Sequence, residues 1–304
     1  MNDVIFENAY GLPPSDLVTL SAAPQQFSPL VPGALSLEAQ PHGSLNGLAM
    51  LAPPGTIERR FVLAHALVAL QPGAQLVALA PKDKGGSRLR QDFELLGCQF
   101  SETARRHHRI VEAVAPADPA ALEAAIQDGS PTFLDDIGLW SQPGVFSWNR
   151  IDPGSAVLLD HLPPLSGQVA DFGCGIGVLS KAVLTSAKVT QLTMVDLDRR
   201  AIEMAKRNIT DDRAQFVWAD VRALPTLLTY DCVVMNPPFH EGGLENQALG
   251  QSFIMTAARA LKNGGICWLT ANRHLPYEAI LKPLFRRVTL MAEADGYKIY
   301  QAQK

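Results

Sequence analysis

The sequence predicts an α/β protein built from two tandem doubly wound, Rossmann-like units, and three observations carry that expectation. A short apolar run at 169–172 leads into a glycine turn at 173–177 and then an amphipathic stretch at 178–184. Strand, glycine turn and helix in that order open a doubly wound sheet. The two apolar runs that follow, 192–195 and 215–218, are succeeded by acids, so Asp171, Asp196 and Asp220 mark three strand ends. Finally, one succession of strand, proline pair, helix, glycine turn and strand occurs at 48–80 and again at 231–270, the mark of a unit repeated at about half the chain length.

The bulk composition fits this frame. The chain has 304 residues, of which 47% are hydrophobic and 18% charged, enough for about two packed domains. A formal net charge of −4 excludes a uniformly basic surface, so an RNA or DNA contact needs a local cationic patch. The opening residues carry an acid, Asp3, and no basic stretch, which reads as no secretory leader. The most apolar window, 61–80, is broken by His65 and by Gln71-Pro72-Gly73 and reads as helix, turn and strand, not a membrane span. Cys98, Cys174, Cys232 and Cys267 are widely spaced. Neither a disulfide framework nor a metal site is expected, and a reducing cytoplasm suits the chain.

Residues 1–45 are rich in Pro, Ser and Gly and show only short strand-like runs, such as 34–37. Beyond them Leu48–Leu51 reads as a strand stopped by Pro53-Pro54-Gly55, 59–70 as a helix, 75–80 as a buried strand, 82–87 as a polar loop and 88–96 as a second helix. A boundary is expected within 128–140, giving a first domain over 1–130 and a second over 140–304. In the second, 231–235 reads as a strand stopped by Pro237-Pro238, 252–261 as a helix, 265–270 as a strand and 277–285 as a helix.

The glycine turn lets backbone approach a ligand where a Cβ would intrude. A dinucleotide site usually reads G-x-G-x-x-G, whereas here an acid precedes G-x-G-x-G (Asp171, Gly173, Gly175, Gly177). Asp171 can meet an amino-acid ammonium, Asp196 can accept from both ribose hydroxyls, and Asp220 can meet an adenine amino group. Three acids repel phosphate and suit an uncharged nucleoside that carries a sulfonium and an amino acid, namely S-adenosylmethionine, with NAD the runner-up. Cys174 is a small filler whose backbone matters, Leu197 and Val221 flank their acids, and Asp198 reads as a helix N-cap.

Asn236-Pro237-Pro238-Phe239 follows the strand at 231–235, the end of an open α/β sheet where ligands bind. Asn236 and the Pro237 carbonyl can accept both hydrogens of a planar amine, whose delocalised lone pair makes it a poor nucleophile until it is aimed at a methyl donor. Phe239 offers a face for a flipped base, and His240 can touch substrate. In the first half Ala52-Pro53-Pro54-Gly55 stands at the corresponding place without the amide or the ring, and no acid-G-x-G-x-G run precedes it. The first unit is therefore expected to be catalytically empty.

Residues 142–147, 169–180, 236–242 and 272–277 resemble the bacterial ribosomal RNA guanine-N2 methyltransferases with tandem methyltransferase-like domains. The resemblance implies a degenerate N-terminal domain that helps hold RNA. It also implies a C-terminal class I S-adenosylmethionine-dependent domain with cofactor contacts at Asp171, Gly173, Gly175, Asp196 and Asp220 and target-base contacts at 236–239. Ser147, Asp152 and Ser155 would lie in a lead-in segment closing over the methionine end of the cofactor. The RNA partner, ribosomal RNA or a ribosomal subunit, has a candidate footprint at 82–109, which carries seven Lys/Arg against four Asp/Glu. The amine-binding chemistry alone equally suits adenine N6 or a protein glutamine amide, and an adaptor using the fold without catalysis is the third reading.

Overall fold

The computed structural model describes residues 4–225, 229–238, 240–241, 244–245 and 247–304. The chain divides into two compact units, Met1–Pro131 and Thr132–Lys304.

The first unit runs β1 (Ile5–Tyr10), β2 (Thr19–Gln26), β3 (Leu48–Leu51), α1 (Thr56–Ala69), β4 (Leu76–Pro81), a π-type turn (Lys82–Gly86), α2 (Ser87–Leu95), β5 (Phe100–Arg105), β6 (His108–Ala113) and α3 (Ala120–Gly129). Its six-stranded sheet has the order β2-β1-β3-β4-β6-β5. The first four strands are parallel, whereas β6 runs antiparallel to β4 and to β5. α1 starts after the Pro-Pro-Gly stop and buries Phe61, Leu63, Ala64, Leu67 and their neighbours. It packs against α3, where Gly129 leaves room for the Phe61 ring.

The expectation for residues 1–45 needs correction. The strands there are β1 and β2, while 34–37 is irregular and only Leu37 is buried. β1 hides because it turns a polar side chain inward: Asn8 is buried and donates to Asn46 Oδ1 and to the Gly47 carbonyl. β2 hides because Pro24 interrupts it, which an edge strand tolerates since it lacks a partner on one side.

The second unit begins with a small hairpin, β7 (Thr132–Leu134) and β8 (Leu139–Ser141), then α4 (Pro153–His161). There follow β9 (Gly167–Phe172), α5 (Val178–Val183), β10 (Val189–Asp196), α6 (Arg199–Asn208), β11 (Ala214–Trp218) and β12 (Tyr230–Met235). The two-residue strands β13 (His240–Glu241) and β14 (Leu244–Glu245) precede α7 (Gln247–Ala260), β15 (Leu261–Asn272), α8 (Glu278–Leu284), β16 (Arg287–Ala294) and β17 (Tyr297–Gln303). The main sheet has the order β11-β10-β9-β12-β15-β17-β16, with the first five strands parallel and β17 antiparallel to both neighbours.

The central strands are covered on both faces, as parallel strands must be. Ala170, Phe172, Val233 and Met235 face one apolar layer with Phe253, Ile254 and Leu269. Val169, Val234, Leu192 and Met194 face the other with Leu179 and Trp268. The first unit's order repeats β10-β9-β12-β15-β17-β16 strand for strand, lacking a counterpart of β11 and any helix after β1. Among the described residues, no helix is long and apolar enough to cross a membrane.

Candidate active site

Strand β9 carries Asp171 into a fully buried position. Its Oδ2 accepts from Ser180 Oγ at 2.7 Å, and its Oδ1 has no hydrogen-bond partner. Burial disfavours the charged form and pushes the carboxyl up to about 7, against the pull of the Ser180 hydrogen bond. After it the backbone turns with positive φ at Gly173, Gly175 and Gly177. A Cβ on Gly177 would come within 2.9 Å of Ile209 Cδ1, so glycine there lets α5 sit close to its neighbours.

The turn is tied to the end of β10. Gly173 N and Cys174 N donate to the Val195 carbonyl at 2.8 and 3.0 Å, and Gly175 N donates to Asp196 Oδ2 at 2.8 Å. Asp196 Oδ1 accepts from Asp198 N at 2.9 Å, and burial lifts this carboxyl to about 6. Backbone N–H groups of Asp198, Gly175 and Leu197 all act on this carboxyl, and its four lone-pair sites leave capacity for a further donor. Trp218 Nε1 donates to the Leu197 carbonyl at 2.8 Å, pinning β11 beside β10. Asp198 caps α6 through Arg200 N, as expected. The Cys174 side chain is buried, and burial raises its thiol well above the ordinary range, which makes it inert packing.

Asp220 is engaged by its own chain. Arg222 Nε donates to Oδ1 at 2.9 Å and Arg222 Nη2 to Oδ2 at 2.7 Å, while Arg222 N also donates to Oδ1. Hydrogen bonding from Arg222 holds the carboxyl below its usual range. The expected adenine contact would therefore share the acid with a guanidinium. Val221 lies at 2% exposure within the apolar layer of Phe172 and Val195, so its side chain is core.

At the end of β12, Asn236 Nδ2 donates to Asp152 Oδ1 at 2.7 Å and to Ser155 Oγ at 2.9 Å. Asp152 is also the N-cap of α4, accepting from Ser155 N at 3.0 Å. Pro237 is buried and Pro238 half-buried. Phe239 and the side chain of His240 lie outside the described residues.

One cleft gathers Asp152, Ser155, Gly173, Cys174, Gly175 and Asn236. Asp196 adjoins it through Gly175, whereas Asp171, fully buried behind the glycine turn, and Asp220 are not part of its lining. Ser155 was expected against the cofactor; its hydroxyl accepts from Asn236, and the residue also lines the cleft. The sequence reading missed Phe146, whose exposed ring lines the same cleft, and the bond from Asp152 to Asn236. The one local signal for the latter is the capping pattern Asp152-Pro153-Gly154-Ser155.

In the first unit the turn after β3 looks different. Arg59, buried at 1% exposure, donates from Nη1 to the Pro53 and Pro54 carbonyls at 3.2 and 2.8 Å. Its Nε donates to the buried Asp92 at 2.6 Å, and Arg60 donates to the same carboxylate at 2.7 Å. Of the Lys and Arg residues at 82–109, Lys82, Arg88, Arg90, Arg105 and Arg106 are exposed, and Lys84 and Arg109 are half-buried. Arg90 pairs with Glu94 and Glu102, Arg109 with Glu102, and Arg106 with Asp16.

The strand order with its last strand reversed, the acid before a glycine turn and the Asn-Pro-Pro corner define a class I S-adenosylmethionine-dependent methyltransferase. Residues 136–301 match the methyltransferase small domain. A Shewanella sediminis protein named ribosomal RNA small subunit methyltransferase C is 31% identical over 79% of this chain and 71% of its own length. A Shewanella loihica protein of the same name is 38% identical over 53% of this chain, and the match spans 47% of that relative. The solved Thermus thermophilus 16S rRNA N2 G1207 methyltransferase in complex with AdoMet and guanosine superposes with a TM-score of 0.73 at 25% identity, covering 95% of this chain and 78% of that one. The chain belongs to the methyltransferase small domain family and, within it, to the ribosomal RNA small subunit methyltransferase C family.

Proposed function

We propose that this chain transfers a methyl group to the exocyclic N2 amine of a guanine in ribosomal RNA. The single observation that carries the reading is the Asn236 amide, held at the end of β12 beside the glycine turn of β9. The names of the relatives support the choice of substrate. S-adenosylmethionine supplies an electrophilic sulfonium methyl when bound. The residues present suit it: Asp171 Oδ1 is a buried acceptor without a partner that an ammonium would satisfy, and Asp196 would accept from ribose hydroxyls.

Asn236 Oδ1 and the Pro237 carbonyl then accept the two amine hydrogens, which turns the nitrogen lone pair toward the methyl donor. Positioning of this kind lowers a barrier by several kcal/mol and by about 7–11 in favourable cases. Phe239 supplies a stacking face for the base. In this reading residues 140–304 are catalytic and 1–130 hold RNA or support the fold, acting in the cytoplasm on ribosomal RNA or a ribosomal subunit. Mapping of modified nucleosides in RNA from a strain lacking the protein tests it. Loss of one N2-methylguanosine in ribosomal RNA is expected. Intact N2-methylguanosine with loss of some other methyl mark, such as an N6-methyladenosine, would overturn it.

A further inference from the structure

Asn236 can act as an amine acceptor only if its amide oxygen, not its nitrogen, faces the substrate. The last torsion of an asparagine is nearly two-fold, so the side chain alone does not choose between the two orientations. Flipped, the amide would present N–H groups to the N–H groups of the amine, and the site would repel what it must hold.

We infer that Asp152 and Ser155 are positioning residues that lock the Asn236 amide with its oxygen turned toward the acceptor amine. The inference rests on the reading of Asn236 as amine acceptor. A carboxylate can only accept, so the group 2.7 Å from Asp152 Oδ1 must be the amide nitrogen. The flipped amide would set two acceptor oxygens against each other at that distance. Ser155 Oγ takes the second amide hydrogen at 2.9 Å, so both N–H groups of Asn236 are spent on α4 and the oxygen is left over. Asp152 is itself fixed, because its Oδ1 also receives the Ser155 backbone N–H that starts α4. Packing closes round it: a Cβ on Gly154 would lie 2.7 Å from the Tyr297 ring and 3.1 Å from Asp152 Oδ1. The start of α4 thus sets which way the end of β12 faces.

An ordinary helix cap would give Asp152 a structural role alone, and a substitution separates the two. Serine caps helices well but is too short to reach Asn236 from position 152. Asparagine keeps an oxygen able to serve both partners. Methyl transfer from radiolabelled S-adenosylmethionine to ribosomal RNA from a strain lacking the protein is measured with the full chain, alongside thermal unfolding and calorimetric cofactor binding. Asp152→Ser is expected to keep its melting temperature and its cofactor affinity within about threefold while kcat falls at least tenfold, and Asp152→Asn to recover at least tenfold over Asp152→Ser. On an Asn236→Ala background Asp152→Ser should cost less than twofold more, since it acts through the amide. A kcat for Asp152→Ser within threefold of the unsubstituted chain, or a full additional loss on Asn236→Ala, overturns the positioning role. Asn236→Ala retaining activity within tenfold overturns the acceptor assignment itself, and with it the inference.

Discussion

Asp171 and Asp196 are carboxylic acids held in places that disfavour their charge. Burial lifts Asp171 to about 7 and Asp196 to about 6. A cationic ligand at Asp171 needs the ionised form, so binding must expel a proton wherever the free protein still holds one. Cofactor affinity is therefore expected to rise between about pH 5 and 8, by up to about tenfold per pH unit for one such group. Calorimetry in buffers of different ionisation heat should show proton release, and a flat affinity over that range would refute the assignment. Stability carries the opposite sign. A carboxyl raised above its unfolded value favours folding at acid pH, and that contribution is lost as pH rises through about 6 and 7. Asp171→Asn keeps an acceptor for Ser180 while removing the charge. The ligand-free variant should melt higher than the parent at pH 8, yet bind cofactor at least tenfold more weakly. An unchanged melting temperature would show that the burial cost is misjudged. These acids were legible because each ends an apolar run next to a recognisable turn. The tie between Asn236 and Asp152 was not, because its partners stand 84 positions apart and no local pattern announces a contact made by folding.

Among the elements, those with a clean period were readable and those carrying polar groups inward were not. α1, β4, β12 and α7 repeat apolar residues at the spacing of their element, and the expected spans overlap the observed ones. β1 and β2 escaped because Asn8 points inward and Pro24 sits in an edge strand. The π-type turn at Lys82–Gly86 escaped for another reason: it is shaped by what it covers. Gly85, with φ of 94°, packs on the Arg59 guanidinium, and a Cβ there would strike it. α1 and α2 are joined by the buried Asp92, which holds Arg59 and Arg60 at once. Removing the acid leaves a guanidinium uncompensated inside the unit, a loss of about 3–5 kcal/mol for such pairs. Asp92→Ala should lower stability by that amount in urea unfolding, and a change below about 1 kcal/mol would show that water or rearrangement supplies the missing partner.

At the scale of the molecule, the two units share an order of strands and differ in what the strand ends carry. In the first, β1 passes to β2 through a single left-handed glycine, Gly11, with no G-x-G-x-G run and no helix. The absence of an acid-G-x-G-x-G run from the sequence forecast that loss, whereas no composition forecast the matching sheet order. If the first unit holds RNA, its exposed cations should contribute counterion release. Lys82→Ala with Arg88→Ala is expected to weaken RNA binding at every sequence tested and to reduce the slope of log affinity against log salt by about 2. Calorimetric cofactor binding should be untouched, and an unaltered salt slope would place the RNA elsewhere. The Arg59 guanidinium on the Pro53 and Pro54 carbonyls also has a consequence for any attempt to install chemistry in the first unit. Its –NH2 occupies, within the chain, the kind of position an amine occupies when it visits an Asn-Pro-Pro corner. Ala52→Asn would restore the lettering of that corner without reopening it, because the guest is now covalently resident and salt-bridged in place.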